Sequence, residues 1–370
     1  MKQTTTRTTS KETIIGRLRG TTLHIPNLRY PLRRWPGPRR NALYEDMSML
    51  VRGVLRDAAI VVPATKTQSV CDDFALMACL WYPQALRAQL ETLVRVLVWV
   101  FFWDDGFEGD GPLAADLDGA ERRRKSTRNV IRATLGLGNL APDDEVDSLN
   151  GLLFGCREQF AGMSRPYRER LYRNIDDFIS SCAAEQHVRL AGIVPDFKGY
   201  MKVRVGTTGG TILCALLEYA MQTELAAEFI DSDHRRGVEK SVEIMIAYIN
   251  DIVSVKKELD EGAGWTPNVL YSLMAGGMTA EEAVGWVSRE MGHEPLLLDL
   301  RALLLRVEVS RREARRRESV WKATDAEQSC QRYIDGCRAI IVGWLEFGLL
   351  SSRYGMPEFL CEDGSLDVVL

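Results

Sequence analysis

Two long stretches of this chain contain no proline: none lies between Pro195 and Pro267, and none between Pro295 and Pro357. Proline removes a backbone donor and clashes with the preceding turn, so its absence over tracts rich in Leu, Ala, Glu and Arg favours helix. Apolar residues recur at three- and four-residue spacing over 84–103, 211–230, 237–260, 296–322 and 325–352, while alternating strand patterns are scarce. The expected fold class is all-α: one helical domain over residues 41–370, built from ten or more helices. Five of the 13 prolines fall at 26, 31, 36, 38 and 63, and residues 29–40 read RYPLRRWPGPRR. Residues 1–40 are therefore expected to be a flexible basic N-terminal arm outside the core. Segment 109–146 is expected to be a polar loop at a mobile edge.

Charge and cysteine usage narrow the function classes. With 47 Lys+Arg against 51 Asp+Glu the net charge is −4, without the basic excess of a dedicated nucleic-acid binder. The eight cysteines include no CxxC pair and the four histidines are scattered, so no zinc-ligand spacing occurs. Free, mostly buried thiols are expected. The polar N-terminus lacks the apolar core of a signal peptide. The most apolar run, Leu93 to Trp103, is interrupted by Arg95 and is too short to cross a bilayer. A soluble, cytoplasmic protein is expected. The arginine-rich run Arg122-Arg123-Arg124-Lys125 reads as a solvated face.

Residues 99–108 read Trp-Val-Phe-Phe-Trp-Asp-Asp-Gly-Phe-Glu. On a continuous helix Asp104 and Glu108 would lie within about 40° of each other. Two carboxylates so placed repel unless a cation sits between them, and hard oxygen ligands suit Mg²⁺. Taken alone, the run fits better a helix that ends at the surface with solvated carboxylates, because short acidic motifs recur by chance. Asp72-Asp73, Asp176-Asp177 and Asp143-Asp144-Glu145 show how common adjacent acids are, and all three read as surface features.

Residues 248–261 read Tyr-Ile-Asn-Asp-Ile-Val-Ser-Val-Lys-Lys-Glu-Leu-Asp-Glu. Asn250, Ser254 and Glu258 recur every four residues, which puts an amide oxygen, a hydroxyl and a carboxylate on one helix face. Such a line suits an oxygen-only Mg²⁺ site, or a polar stripe on a solvated helix. Against the second alternative, Asn and Ser are poor helix formers set in mid-helix with no capping role.

Together the two runs resemble the class I terpene synthases, especially fungal and bacterial sesquiterpene cyclases. The aspartate-rich motif DDxx(D/E) after a W-x-F run matches Trp99, Phe101, Asp104, Asp105 and Glu108, with Glu in place of the final Asp. The motif NDxxSxx(K/R)E matches Asn250, Asp251, Ser254, Lys257 and Glu258. The family's arginine 46 residues before that asparagine matches Arg204, and its C-terminal Arg-Tyr pair matches Arg353 and Tyr354. Softer matches are Trp81-Tyr82-Pro83, Arg189 and Pro195.

The resemblance implies the α-helical barrel of the isoprenoid synthases and three Mg²⁺ ions, with Mn²⁺ as a substitute. Asp104 and Glu108 would serve one side of the metal cluster, and Asn250, Ser254 and Glu258 the other. Arg204, Lys257, Arg353 and Tyr354 would bind diphosphate, with Asp105 pairing with Arg204 on closure. Thr207, Thr208 and Gly209 would form the turn facing the substrate. Pocket aromatics are expected among Trp81, Trp99, Phe101, Phe107, Trp321 and Phe347, with Phe347 the leading candidate six residues before Arg353. The implied reaction is cyclisation of a prenyl diphosphate, farnesyl diphosphate first, to a sesquiterpene or its alcohol. Geranylgeranyl diphosphate, a chain-elongating prenyltransferase and a non-catalytic helical scaffold are the rival readings, and a homodimer is left open.

Overall fold

The computed structural model describes residues 11–141, 146–260, 267–316 and 325–370. The helices are α1 (Lys11–Leu18), α2 (Tyr44–Asp57), α3 (Thr67–Trp81), α4 (Arg87–Asp105), α5 (Leu117–Thr134), α6 (Ser148–Phe154), α7 (Arg157–Ala161), α8 (Arg165–Ala191), α9 (Phe197–Thr207), α10 (Gly210–Ala220), α11 (Ala227–Ile230), α12 (Asp233–Asp260), α13 (Val269–Ala275), α14 (Ala280–Arg316) and α15 (Asp325–Leu350). Polar caps start several of them. Asp116, Asp147, Asp196 and Asn268 accept from backbone N–H groups two or three residues on. Thr279 and Glu282 cap α14 reciprocally, at 2.8 and 3.1 Å. All-α architecture is what the proline-free tracts predict, and one contiguous hydrophobic core runs from Ile14 to Val368.

Three local expectations are corrected. Residues 11–40 are not a loose arm. Ile14, Leu18, Leu23, Ile25, Leu28, Leu32 and Trp35 are buried. Strand β1 (Thr22–Ile25) pairs antiparallel with β2 (Leu366–Val369), joining the two ends of the described chain. Arg29 grips Glu346 of α15 with two hydrogen bonds of 2.5 and 3.0 Å. Trp35 Nε1 donates to Asp299 of α14. The basic residues conceal an apolar alternation, exposed-buried-exposed-buried in β1, and that alternation decides where the segment goes.

Segment 109–146 contains α5, and within the presumed solvated face Arg124 is only 1% exposed. Its guanidinium donates to Gln186 and lies over the Phe107 ring. Of the three acidic runs, 143–145 lies outside the described residues. α14 begins at Ala280 and continues through Pro295. An interior proline costs about 3 kcal/mol. Burial of Val284, Val287, Met291, Leu298 and Leu305 along the same helix offsets it.

The fold brings α4, α8, α9, α12 and α15 around one cavity. The α9–α10 break lies at its side: Thr208 ends α9, and Gly209 (φ 65°) takes the left-handed conformation that lets α10 start in a new direction.

Candidate active site

The cavity measures about 510 Å³, within the range of small-molecule sites. One rim carries Asp104, Asp105, Glu108 and Asp110; the other groups include Arg204, Lys257, Arg353 and Tyr354; Asn250, Ser254 and Glu258 also line it. Val100, Phe101, Phe178, Ile246 and Trp344 supply the apolar wall.

Asp104 and Asp105 are the last two residues of α4. Helix C-termini carry partial negative charge, so carboxylates there are poorly placed unless a cation arrives. Glu108 does not continue the helix: Gly106 caps α4, and Glu108 lies in the following turn, where its N–H faces the Asp105 carbonyl. The one-face geometry expected for Asp104 and Glu108 is thus wrong, although both still line the cavity. Burial pushes the Asp104 carboxyl well above the usual range, and Glu108, Glu185 and Asp105 push it further. Glu108 is raised by burial and by Asp105, against relief from Arg204, Lys257 and Arg353. The Cys182 thiol approaches Asp104 Oδ1 at 3.3 Å.

The second motif lies in mid-α12 and is internally bonded. Ser254 Oγ donates to Glu258 Oε1 (2.5 Å), and Asn268 Nδ2 donates to Glu258 Oε2 (3.1 Å). Burial still pushes Glu258 up to about 8. Arg204 donates to Asn250 Oδ1 (2.6 Å), and Asn250 Nδ2 donates to the Tyr354 hydroxyl (2.9 Å). Asp251 turns away from the cavity. It is buried and accepts from Arg204 Nε (3.0 Å), from the Val269 N–H (2.9 Å) and from the Tyr200 hydroxyl. Burial alone would lower the Arg204 pKa; Asp251, Tyr200, Glu185 and Glu108 together outweigh it and hold the guanidinium charged.

Asp105 pairs here with Arg353 at 2.9 Å, while Arg204 is held by Asp251 and Asn250. The expected Asp105–Arg204 pair is not formed. Asp73, read from sequence as a surface acid, accepts from the Ser352 N–H (2.9 Å) and Oγ (2.6 Å) and so fixes the turn before Arg353. Thr207 and Thr208 line the cavity, and Thr207 Oγ1 accepts from Arg204 (3.2 Å).

The aromatic expectations divide. Phe101 lines the cavity, with Arg353 over its ring. Trp81 lines a narrow apolar cleft below, stacked 4.4 Å from Trp344. Trp99, Phe107 and Phe347 are packing residues. Trp99 Nε1 donates to Asn150, Phe107 packs on Trp103, and Phe347 props Trp81 and Tyr354 edge-on. Trp344, three residues before Phe347, takes the position on the cavity wall expected for Phe347. Trp321 lies outside the described residues. Sequence reasoning missed Phe178 and Trp344, which nothing local distinguishes from core aromatics. It also missed Glu185, which burial raises to about 7 in opposition to Arg204.

Among the described residues no three His, Cys, Asp or Glu side chains form a metal-holding cluster. What the cavity offers is carboxylate oxygen from the end of α4 and the turn after it, and amide, hydroxyl and carboxylate oxygen from α12. That donor set fits a hard cation that completes its shell with water and phosphate, as Mg²⁺ does.

The sequence profile of terpene synthase family 2, C-terminal metal binding, matches residues 95–294, more than half of the chain. The chain belongs to that family. It is a class I terpene synthase, a lyase whose chemistry uses divalent metal and a prenyl diphosphate. Sesquiterpene cyclase hepA of Aspergillus oryzae is 24% identical over 94% of this chain and 93% of its own length. Silphinene synthase peniA of Penicillium patulum is 23% identical over 76% and 72%. The fold is shared with linalool/nerolidol synthase of Streptomyces clavuligerus, at 21% identity and a TM-score of 0.69, covering 85% of this chain and 98% of that one. No helix among the described residues is long and apolar enough to cross a membrane.

Proposed function

We propose that this enzyme ionises farnesyl diphosphate in the presence of Mg²⁺ and cyclises the resulting cation to a sesquiterpene or sesquiterpene alcohol, releasing diphosphate. The observation that carries the proposal is the convergence on one cavity of two oxygen-donor sets and a cationic group. Asp104 and Glu108 line it with Asn250, Ser254 and Glu258, and Arg204, Lys257, Arg353 and Tyr354 line it with them.

In this proposal Asp104 and Glu108 would hold Mg²⁺ from one motif, and Asn250, Ser254 and Glu258 from the other, with three ions expected in all. When bound, Mg²⁺ neutralises the diphosphate and makes it a better leaving group. The chain's own cations act on the same charge. Arg204, Lys257, Arg353 and Tyr354 donate to diphosphate oxygens, and their attraction grows as the C–O electron pair moves onto the leaving group. Arg353 would exchange Asp105 for phosphate, and Arg204 would release Asn250 while keeping Asp251. Asp105 is then available to pair with Arg204 as the site closes. Below this mouth Phe101, Phe178 and Trp344 present ring faces to the cation, while Val100 and Ile246 help exclude water. The reaction ends when the last cation loses a proton or captures water.

Incubation with C10, C15, C20 and C25 prenyl diphosphates plus Mg²⁺, read by gas chromatography–mass spectrometry, tests this. Cyclic C15 products are expected. Cyclisation of the C20 substrate alone would replace farnesyl by geranylgeranyl diphosphate, and longer linear diphosphates would indicate a chain-elongating enzyme.

A further inference from the structure

Arg189 has no part in the chemistry above and does not line the cavity. It lies in the last turn of α8, where its Nη2 donates to two carbonyl oxygens, those of Phe107 and Ala114, at 2.7 Å each. Both belong to the loop after α4, residues 106–114, Gly-Phe-Glu-Gly-Asp-Gly-Pro-Leu-Ala. Glu108, Gly109, Asp110 and Gly111 of that loop line the cavity. Three glycines in six positions leave such a backbone many conformations, so ordering it is costly. Yet the loop is tightly folded. A Cβ on Gly111 would lie 2.5–2.8 Å from the carbonyl oxygens of Asp105, Gly106 and Glu108, so the chain doubles back on the end of α4. The Gly111 N–H donates to Glu108 O (2.7 Å), the Ala114 N–H to Gly111 O (3.0 Å), and the Leu113 N–H to Gly106 O (3.1 Å), which closes the base. Further ties come from α8. Gln186 Nε2 donates to the carbonyls of Leu113 and Ala114 (2.7 and 3.2 Å) and so holds the far end alone. Arg189 takes one carbonyl from each side of Glu108.

On the reading of Glu108 as a metal ligand, on which this rests, we infer that Arg189 is a positioning residue: it clamps the loop shut from behind and so fixes the Glu108 carboxylate at the rim. The peptide plane carries the argument. The Phe107 carbonyl and the Glu108 N–H belong to one rigid amide, so pinning that oxygen pins the plane from which the Glu108 side chain departs. The N–H end of the same amide has only a long bond, 3.4 Å to the Asp105 carbonyl, which holds it weakly. The 2.7 Å bond from Arg189 is the strong one, and its donor is charged. The Phe107 ring, packed on Trp103 and under Arg124, anchors the side chain but leaves rotation of the following amide open. The second bond, to Ala114, sets the return strand of the loop against its start. Because both bonds leave one nitrogen, the position needs a multiple donor at that point rather than the planar fork of a guanidinium.

Two measurements on the full chain test this: hydrogen exchange of the metal-free protein, and calorimetric titration of Mg²⁺ in the presence of inorganic diphosphate. The variants are Arg189→Met, Arg189→Lys, Glu108→Gln and Glu108→Gln/Arg189→Met. Methionine keeps an apolar stem and removes the donors, and lysine returns three of them. In Arg189→Met, exchange over 106–114 should quicken about tenfold while α12 keeps its rates, and Mg²⁺ affinity should fall about tenfold. Arg189→Lys should recover most of both. Because Arg189 acts through Glu108, the losses should not add: on the Glu108→Gln background, Arg189→Met should cost less than about twofold more. Unchanged exchange in Arg189→Met overturns the clamp. Faster exchange with unchanged Mg²⁺ affinity, or a full further loss on the Glu108→Gln background, overturns its action through Glu108. Lysine no better than methionine overturns the role of the donors. A Glu108→Gln variant that binds Mg²⁺ like wild type refutes instead the reading of Glu108 as a ligand, and the exchange rates still decide whether Arg189 holds the loop.

Discussion

The two walls of the cavity carry similar ligands in different hydrogen-bonding conditions. Asp104, Asp105 and Glu108 sit at and just beyond a helix C-terminus, and for Asp104 and Glu108 burial first, then neighbouring carboxylates, oppose charge. Asn250, Ser254 and Glu258 sit in mid-helix, and each already has a hydrogen-bond partner: Arg204 and Tyr354 for Asn250, and Glu258 and Asn268 for the rest. The first wall is held against burial and repulsion and is incomplete without a cation. The second is satisfied without one, and must exchange existing hydrogen bonds for metal. Arg204 links them, since it holds the second wall through Asp251 and Asn250 and lowers the carboxyl pKa of Glu108 on the first.

Removing charge from the first wall should have the largest effect. Asp104→Ala is expected to lower kcat by about a thousandfold or more. Its melting temperature without metal should rise, because like charges are relieved; a fall would show that Asp104 stabilises the apo fold. Next is the link between the walls. Arg204→Lys keeps the charge but loses the fork that reaches Asp251 and Asn250 together, and steady-state kinetics should show kcat down about a hundredfold. Near-normal turnover would reduce Arg204 to a point charge. On the second wall, Asn268→Ala frees Glu258 Oε2 and the Asp251 carbonyl. Its apparent Mg²⁺ affinity should weaken about tenfold, and unchanged Mg²⁺ dependence would leave Asn268 a purely structural cap.

The one effect expected on stability alone, with none on turnover, lies outside both walls. Burial pushes Glu243 up to about 7, opposed by Lys240. A carboxyl whose folded pKa exceeds its unfolded value binds its proton more firmly in the fold. The stability cost is therefore absent below about pH 4, grows as pH rises towards 7, and is constant above. Glu243→Gln should match wild type near pH 4 and exceed it at pH 8 by on the order of 2 kcal/mol in denaturant unfolding, with kcat unchanged. Equal pH slopes in the two proteins would contradict this.

Much of this architecture is legible in the sequence because it is local. Helical periodicity marks α4, α12 and α15, and both acidic motifs lie within single short runs. What the sequence hid depends on distant partners. Arg124 looks solvated until Gln186 and Phe107 are brought beside it. Asp73 looks like a surface acid until the turn at Ser352 folds onto it. Residues 11–40 look like a basic arm until β2 and Glu346 supply partners more than 300 positions away. Glu108 is misplaced in the sequence reading for a local reason: Gly106, the one stop signal in the run, ends α4 at Asp105, where a single glycine permits a stop but does not compel it.

The claim that both walls form one site is tested most directly by calorimetric titration of Mg²⁺ in the presence of inorganic diphosphate, using wild type, Asp104→Asn and Glu258→Gln. The prediction is diphosphate-dependent Mg²⁺ binding in wild type that is lost or greatly weakened in either variant alone. Wild-type binding retained in both variants would contradict a shared site.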